Sequence, residues 1–282
     1  MKLKKIAKEV LPKSAWNFLR HYHDISMDII LNRGARVCKI PYSGFTLCYG
    51  TGNALIKKIR GGKIFEKKMC ESIVSNLKLK PQSGFLDIGA NIGLISLYVH
   101  SKLPAVKIFA FEPGPHQAES FFETIKENHL NDKIILEAIA LGNKLEKVAF
   151  MTHFSQDCSG DGLVDTNRAG ETTPVAVQMS TLDSWYEKAN RPQVGVVKID
   201  TEGAELWVLQ GGEKFISETK PIIYLEIEPK NLAVYPYTRE DILKWFNTHQ
   251  YELYTLGNEL CTEDNFKTFV GKYDTYVAHP KK

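Results

Sequence analysis

The stretch Phe85-Leu86-Asp87-Ile88-Gly89-Ala90-Asn91-Ile92-Gly93 decides how this chain folds. An apolar run carries one acid and then gives way to glycines where a strand would turn into a helix. Gly89 and Gly93 let the backbone turn sharply and let the next helix approach, while Asp87 brings a carboxylate to the same edge. In an open α/β sheet, ligands bind beyond the carboxyl ends of the strands, so this turn is the first place to look for a site. A dinucleotide fingerprint, GxGxxG, has the same location. Here, however, Asn91 fills the position that such a site keeps as glycine for close approach of a pyrophosphate. Glu112 ends the run Phe-Ala-Phe-Glu-Pro, 19 residues beyond Gly93, where an acid is placed to accept hydrogen bonds from ribose hydroxyls. Its structural alternative is a cap on the following helix. Loop and acid together favour a nucleoside without phosphates.

Outward from this stretch, β-rich runs alternate with helical segments, the signature of a mostly parallel sheet covered on both faces. GFLDIGA is the first strand, followed by a helix over Ile92 to Lys102, and VKIFAFEP is the second. Gly114 and Pro115 open a helix whose Ala118, Phe121, Phe122 and Ile125 follow helical spacing. KIILEAIAL reads as the third strand. The alternation then breaks over an insertion at about 142–180, with KVAFMTHF and PVAVQMS as strands around a polar stretch from Ser155 to Thr173. Long irregular insertions in compact domains tend to be functional. Thr181 to Lys188 is a short helix, VGVVKID the fourth strand, and Ala204 to Gln210 a helix ended by Gly211 and Gly212. PIIYLEIEP is the fifth strand. Thr238 caps a helix with Asp241 in its first turn and Ile242, Leu243 and Phe246 on its apolar stripe, and YELYTL and TYVAH close the sheet as antiparallel strands. Residues 1–80 read as an N-terminal extension, with helices near Ala15 to Leu31 and Ile64 to Leu77 around a hairpin turned by Tyr42, Ser43 and Gly44. Residues 81–282 read as the main domain.

Composition narrows the function. The 282 residues carry 36 basic and 33 acidic side chains, a net charge of +3, too balanced for a general nucleic-acid binder. Five scattered cysteines without a CxxC pair suggest neither a zinc site nor a disulfide framework. No run approaches a membrane span and no signal block opens the chain, so a cytoplasmic protein is expected. At the N-terminus, Leu3, Ile6, Ala7 and Val10 lie at helical spacing among Lys2, Lys4, Lys5 and Lys8. Such a helix docks on its own domain with a solvated lysine face, or makes weak peripheral contact with anionic lipid.

DIGANIG, FEPGP, AIALGN, STLDSW, KIDTEGAELWVLQGG and YLEIEP, in that order over roughly residues 64–260, resemble the successive blocks of the FkbM family of S-adenosylmethionine-dependent methyltransferases. The resemblance implies a class I methyltransferase fold, Rossmann-like with a seven-stranded sheet. It also implies S-adenosylmethionine as donor and transfer mostly to hydroxyl oxygens, often of sugars or secondary metabolites. By position, Asp87, Gly89, Ala90, Asn91 and Gly93 would surround the methionine part of the donor, Glu112 the ribose, and Ala138 to Ala140 the adenine.

Methyl transfer from a sulfonium asks the protein to align the acceptor and, for an alcohol, to take its proton. Lys198 and Asp200 share one face at the end of strand four, with Glu202 at the turn beyond and Glu205 in the next helix. Strand five adds Glu226 and Glu228. Asp200 is the first candidate for general base or substrate anchor, and Glu202 the second. Each has a structural alternative: Asp200 as a ligand of the donor's amino group, Glu202 as a helix N-terminal anion, Lys198 as a counter-ion. His153, ahead of the polar insertion, is a further candidate base or a hydrogen-bonded structural residue. Asp200, Glu226 and a neighbour could hold magnesium, but no metal is predicted. Tyr235 and Tyr237 either face a sugar ring or pack the loop after strand five. The expected function is O-methylation of a sugar hydroxyl in a glycan, glycolipid or glycosylated metabolite. The alternatives are N- or O-methylation of a small non-sugar metabolite, or a non-catalytic nucleoside-binding module.

Overall fold

The computed structural model describes residues 37–50, 53, 55–153, 160–166, 171–269 and 271–281. The helices expected at the N-terminus and over Ala15 to Leu31 lie outside them. Strand β1 (Val37–Tyr42) pairs antiparallel with β2 (Phe45–Gly50). The φ angles of 50° at Ser43 and 88° at Gly44 are the two positive values that a two-residue hairpin loop needs. A short helix, α1 (Leu55–Ile59), leads to α2 (Lys67–Lys78). The helix expected from Ile64 starts later because Gly61, Gly62 and Glu66 hold left-handed backbone.

Strand β3 (Gly84–Ile88) stops at Gly89 and α3 (Leu94–Lys102) begins from Gly93. Next come β4 (Ile108–Phe111) and α4 (Pro115–Glu127). The run KIILEAIAL forms two strands, not one. β5 (Ile134–Glu137) pairs with β4 and ends opposite Phe111, where β4 itself ends. The chain then leaves the sheet, and β6 (Ala140–Leu141), β7 (Glu146–His153) and β8 (Thr172–Ser180) build a separate three-stranded sheet.

Helix α5 (Leu182–Lys188) precedes β9 (Val194–Ile199) and α6 (Glu205–Gln210). Gly211 ends α6 with an ordinary φ of −78°. A side chain there would place its Cβ 2.0 Å from the Gly142 carbonyl oxygen, so close approach, not helix capping, requires the glycine. A helix absent from the sequence reading follows, α7 (Glu213–Thr219), then β10 (Ile222–Glu226) and α8 (Pro229–Leu232). Helix α9 (Arg239–Thr248) opens on the Thr238–Asp241 capping box, and β11 (Tyr251–Thr255) and β12 (Thr275–Pro280) finish the chain's strands.

The main sheet has seven strands in the order β11-β12-β10-β9-β3-β4-β5. Its neighbours are parallel except where β12 meets β10 and β11. This is the class I methyltransferase sheet, with helices on both faces. Successive strand residues face opposite sides. Phe85, Ala110, Val196 and Tyr224 pack with α2, α3, α4 and the hairpin, while Leu86, Phe109, Val197 and Ile223 pack with α5, α6, α7 and α9. The Tyr224 hydroxyl meets Ser72 Oγ and Asn76 Nδ2, each at 2.6 Å, and so fixes α2 against the sheet. The hairpin is bound to α4 by the Cys48 amide donating to Thr124 Oγ1 and the Thr46 amide donating to Asn128 Oδ1, both at 2.9 Å. The chain reverses its direction of sheet growth between β3 and β9, and a crevice opens beyond their ends. No helix among the described residues is long and apolar enough to cross a membrane.

Candidate active site

The loop after β3 is shaped by contacts that leave no space for side chains. A Cβ on Gly89, whose φ is +74°, would fall 1.8 Å from the Asp200 carbonyl oxygen, and one on Gly93 would fall 2.1 Å from the Phe121 ring. Asn91 adopts left-handed backbone with φ 51° and turns its own Oδ1 onto the Ile92 amide at 2.9 Å. Its amide donates to Glu112 Oε2 at 2.7 Å, and the Gly114 amide donates to Oε1 at 2.7 Å. Each Glu112 oxygen thus has one backbone donor and a remaining lone pair. Burial pushes this carboxyl up to about 7. Gly89, Ala90, Asn91 and Glu112 line one cavity, with Ile139, Ala140 and Leu141 continuing the wall. Ala138 is exposed and is not part of that wall. Asp87 and Gly93 stand behind the loop.

Lys198 joins this loop to the acids. Only 3% of its side chain is accessible, and its Nζ donates to the Gly89 carbonyl at 2.6 Å while lying 3.4 Å from both Asp87 Oδ1 and Asp200 Oδ2. Burial opposes its charge, but the carboxylates of Asp200, Asp87 and Glu66 outweigh that and raise its pKa. Lys198 Nζ thus ties the Gly89 turn to the carboxylates of Asp87 and Asp200. Asp87 Oδ2 accepts from Ser96 Oγ at 2.6 Å, while the buried Oδ1 has the Lys198 ammonium at 3.4 Å and no hydrogen-bond partner.

Beyond β9, buried Glu205 shapes the turn from within. Its Oε1 accepts from the Thr201 amide, the Thr201 hydroxyl and the Gly203 amide at 2.9 to 3.1 Å, and burial pushes its carboxyl up to about 7. That turn sends Glu202, at φ 54°, toward β10. Asn231 Nδ2 donates to Glu202 Oε2 at 2.8 Å and to Glu226 Oε2 at 3.2 Å. The pKa of Glu226 is raised, first by burial and then by the charges of Asp200, Glu202, Glu205 and Glu66. Oxygens of Asp200, Glu202 and Glu226 lie within 4.8 Å of one another, the one such grouping among the described residues. Such a grouping could hold a hard cation, and here the Asn231 amide bridges Glu202 and Glu226. Asp200, Glu202 and Glu226 line the same cavity as Glu112. Glu228 does not; it caps α8 instead.

His153 lies outside the cavity wall. Its amide and its Nδ1 both meet Asp161 Oδ1, at 2.9 and 2.6 Å, and Gln117 Nε2 donates to Asp161 Oδ2 at 2.6 Å. Asp161 and Gln117 are the members of this chain that reach the cavity. Tyr235 and Tyr237 pack against Trp207, with centroids 5.0 and 6.0 Å from its ring, and the Tyr237 hydroxyl donates to the Gly203 carbonyl. They brace the acid turn and do not line the cavity, which is the packing alternative.

The sequence reading missed several wall residues. Leu55, Lys58, Phe65 and Glu66 come from α1 and the approach to α2, and Phe150, Asp161 and Leu163 from the insertion. The polar insertion was a signal for the second group. Glu66 has left-handed backbone, φ 43°, which costs a non-glycine residue roughly 1–2 kcal/mol; nothing local in the sequence announces it.

The chain is similar to known proteins. The profile of the Methyltransferase FkbM domain matches residues 87–253. The chain is 27% identical over 177 residues to the 2-O-methyltransferase NoeI of Sinorhizobium fredii, covering 58% of this chain and 71% of that protein. It is 32% identical over 149 residues to Methyltransferase 1 of Beauveria bassiana, covering 46% of this chain and 59% of the other. Among solved structures, Methyltransferase FkbM from Methylobacillus flagellatus aligns with a TM-score of 0.43 at 16% identity, over 70% of this chain and 43% of that one.

Proposed function

Because this chain belongs to the FkbM methyltransferase family and is thereby an S-adenosylmethionine-dependent methyltransferase, we propose that it methylates a sugar hydroxyl. The observation that carries this reading is the composition of the cavity that Glu112 lines: the same wall holds the carboxyl groups of Asp200, Glu202 and Glu226 and the apolar Leu55 and Phe65. Carboxylates accept hydrogen bonds from neighbouring hydroxyls, and an apolar side chain covers the less polar face of a ring. The printed name of the relative in Sinorhizobium fredii, a 2-O-methyltransferase, supports an oxygen acceptor.

The residues present fit the donor. The Gly89 turn leaves a cradle that a Cβ would fill, and Glu112 offers a lone pair on each oxygen for the ribose hydroxyls. Ile139 to Leu141 offer backbone and apolar contact to the base. When bound, the donor supplies an electrophilic methyl group on a sulfonium. Asp200 and Glu202 then orient the acceptor, Lys198 holds the donor loop against the acid turn, and His153 positions Asp161 at the mouth of the insertion. The N-terminal extension, residues 1–80, acts as a cap on the acceptor side, through Leu55, Lys58, Phe65 and Glu66 among its described residues.

Calorimetric titration tests the donor assignment: S-adenosylhomocysteine should bind and NADH should not, and the reverse would overturn it. Asp200→Asn should leave that affinity within a few-fold and lower turnover; loss of affinity would make Asp200 a donor ligand instead. Comparing glycans and metabolites of a deletion strain by mass spectrometry for a missing methyl group tests the sugar acceptor. A missing methyl found only on an amine would overturn it.

A further inference from the structure

Glu66 belongs to no motif and lies ahead of the residues that the FkbM profile matches, yet it lines the cavity beside Asp200 and Glu226. It is the residue from which α2 springs. A glutamate at that position could fold back to cap the helix, but with φ 43° and ψ 47° its side chain makes no capping bond. The surface it exposes belongs to the cavity wall.

The neighbouring acids each carry a structural contact of their own. Glu112 holds two amides, Glu205 holds the turn, Glu202 accepts from Asn231, and Asp200 faces Lys198 at 3.4 Å. Among the described residues, no side-chain hydrogen bond engages the Glu66 carboxylate. It therefore keeps the lone pairs that a proton acceptor requires.

We propose that Glu66, supplied from outside the family domain, is the catalytic base that takes the proton of the acceptor hydroxyl. The inference rests on the hydroxyl-methylation reading above. As the acceptor oxygen bonds to the methyl carbon, the carbon–sulfur bond breaks with its electron pair going to sulfur, and the hydroxyl proton passes to the Glu66 carboxylate. Glu66 is exposed on one side; its partial enclosure at the cavity wall and then the charge of Asp200 raise its carboxyl above the ordinary value, against the attraction of Lys198 and Lys58. Asp274, Cys70 and Glu226 complete the titratable groups around it. A base raised in this direction is better matched to neutral pH.

The test uses sinefungin, a donor analogue with a primary ammonium group in place of the sulfonium methyl. Calorimetry on the full chain should show sinefungin preferred over S-adenosylhomocysteine, with the preference growing as pH rises through about 7, where Glu66 ionises. Glu66→Gln should lower the preference by up to about fivefold (an order-of-magnitude expectation for losing one ion pair at an exposed residue) and flatten its pH dependence, with S-adenosylhomocysteine affinity unchanged. Glu66→Gly should lower the preference equally while raising the melting temperature, because it releases the left-handed backbone; this separates lost chemistry from lost folding. An unchanged preference in both variants overturns the proposal alone. Failure of the unaltered protein to bind either ligand overturns the methyltransferase donor reading itself.

Discussion

At the scale of single residues, Gly89 carries two demands at once. Its φ of +74° disfavours any side chain, and the 1.8 Å approach of the Asp200 carbonyl to a built Cβ forbids one. Gly89→Ala should therefore push the loop off the tip of β9, and calorimetry should register a loss of S-adenosylhomocysteine affinity of at least about 100-fold, the size expected when a preorganised site shifts by about 1 Å. Lys198→Met removes the counter-ion of fully buried Asp87. Breaking one side of a buried pair costs about 3–5 kcal/mol, so denaturant unfolding should show a loss of that order. Gly89, Asn91 and Glu112 were legible because a strand end, a turn and the next strand end follow one another at fixed spacing, whereas Asp87 lies behind the loop against Lys198 and Ser96. Glu66 and Gln117 were not, since the fold brings them to the cavity from separate segments with no repeating pattern. His153 was visible as a histidine near an insertion, but its partner Asp161, which decides its role, becomes apparent only when the β7–β8 hairpin is closed.

At the scale of elements, strong local signals survived and weak ones did not. The Thr238–Asp241 capping box forms with both reciprocal bonds. Thr238→Ala should cost about 1 kcal/mol, a fall in melting temperature of about 2–4 °C for a domain of this size, while Asp241→Glu should cost less. The helices α1 and α7 were missed because each is a short segment, five and seven residues, stabilised by burial of a few side chains and not by a readable periodicity. The division of KIILEAIAL was missed for a different reason. All nine residues suit a strand, and only the length of β4 decides where β5 has no further partner.

At the scale of the whole molecule, the acids at the sheet edge set how stability responds to pH. The Glu226 carboxyl is raised in the folded chain above its ordinary value of 4.5. Between the ordinary and the raised value the folded state binds more protons than the unfolded one, so this residue makes stability fall as pH rises. Glu112 and Glu205 act in the same direction up to about pH 7. Glu226→Gln removes its share of the penalty: its melting temperature should match that of the unaltered protein near pH 5 and exceed it by a growing margin toward pH 8. A constant margin across that range would assign the gain to packing. The sheet and its two faces were legible from alternation alone, whereas the concentration of charge at one edge depends on β9 and β10 lying side by side.

The position of β12 bears on how such a chain is made. It is the last of the seven strands in sequence, but it sits second from the sheet's edge, between β10 and β11. During synthesis, β10 and β11 must each wait with a bare hydrogen-bonding edge until Thr275–Pro280 has been produced. The waiting edge of β10 carries Ile223 and Leu225, the kind of apolar strand that other nascent chains can pair with. A ribosome stalled after β11 would release a sticky intermediate, and the final few codons of the sheet decide whether the polypeptide matures or is captured by chaperones.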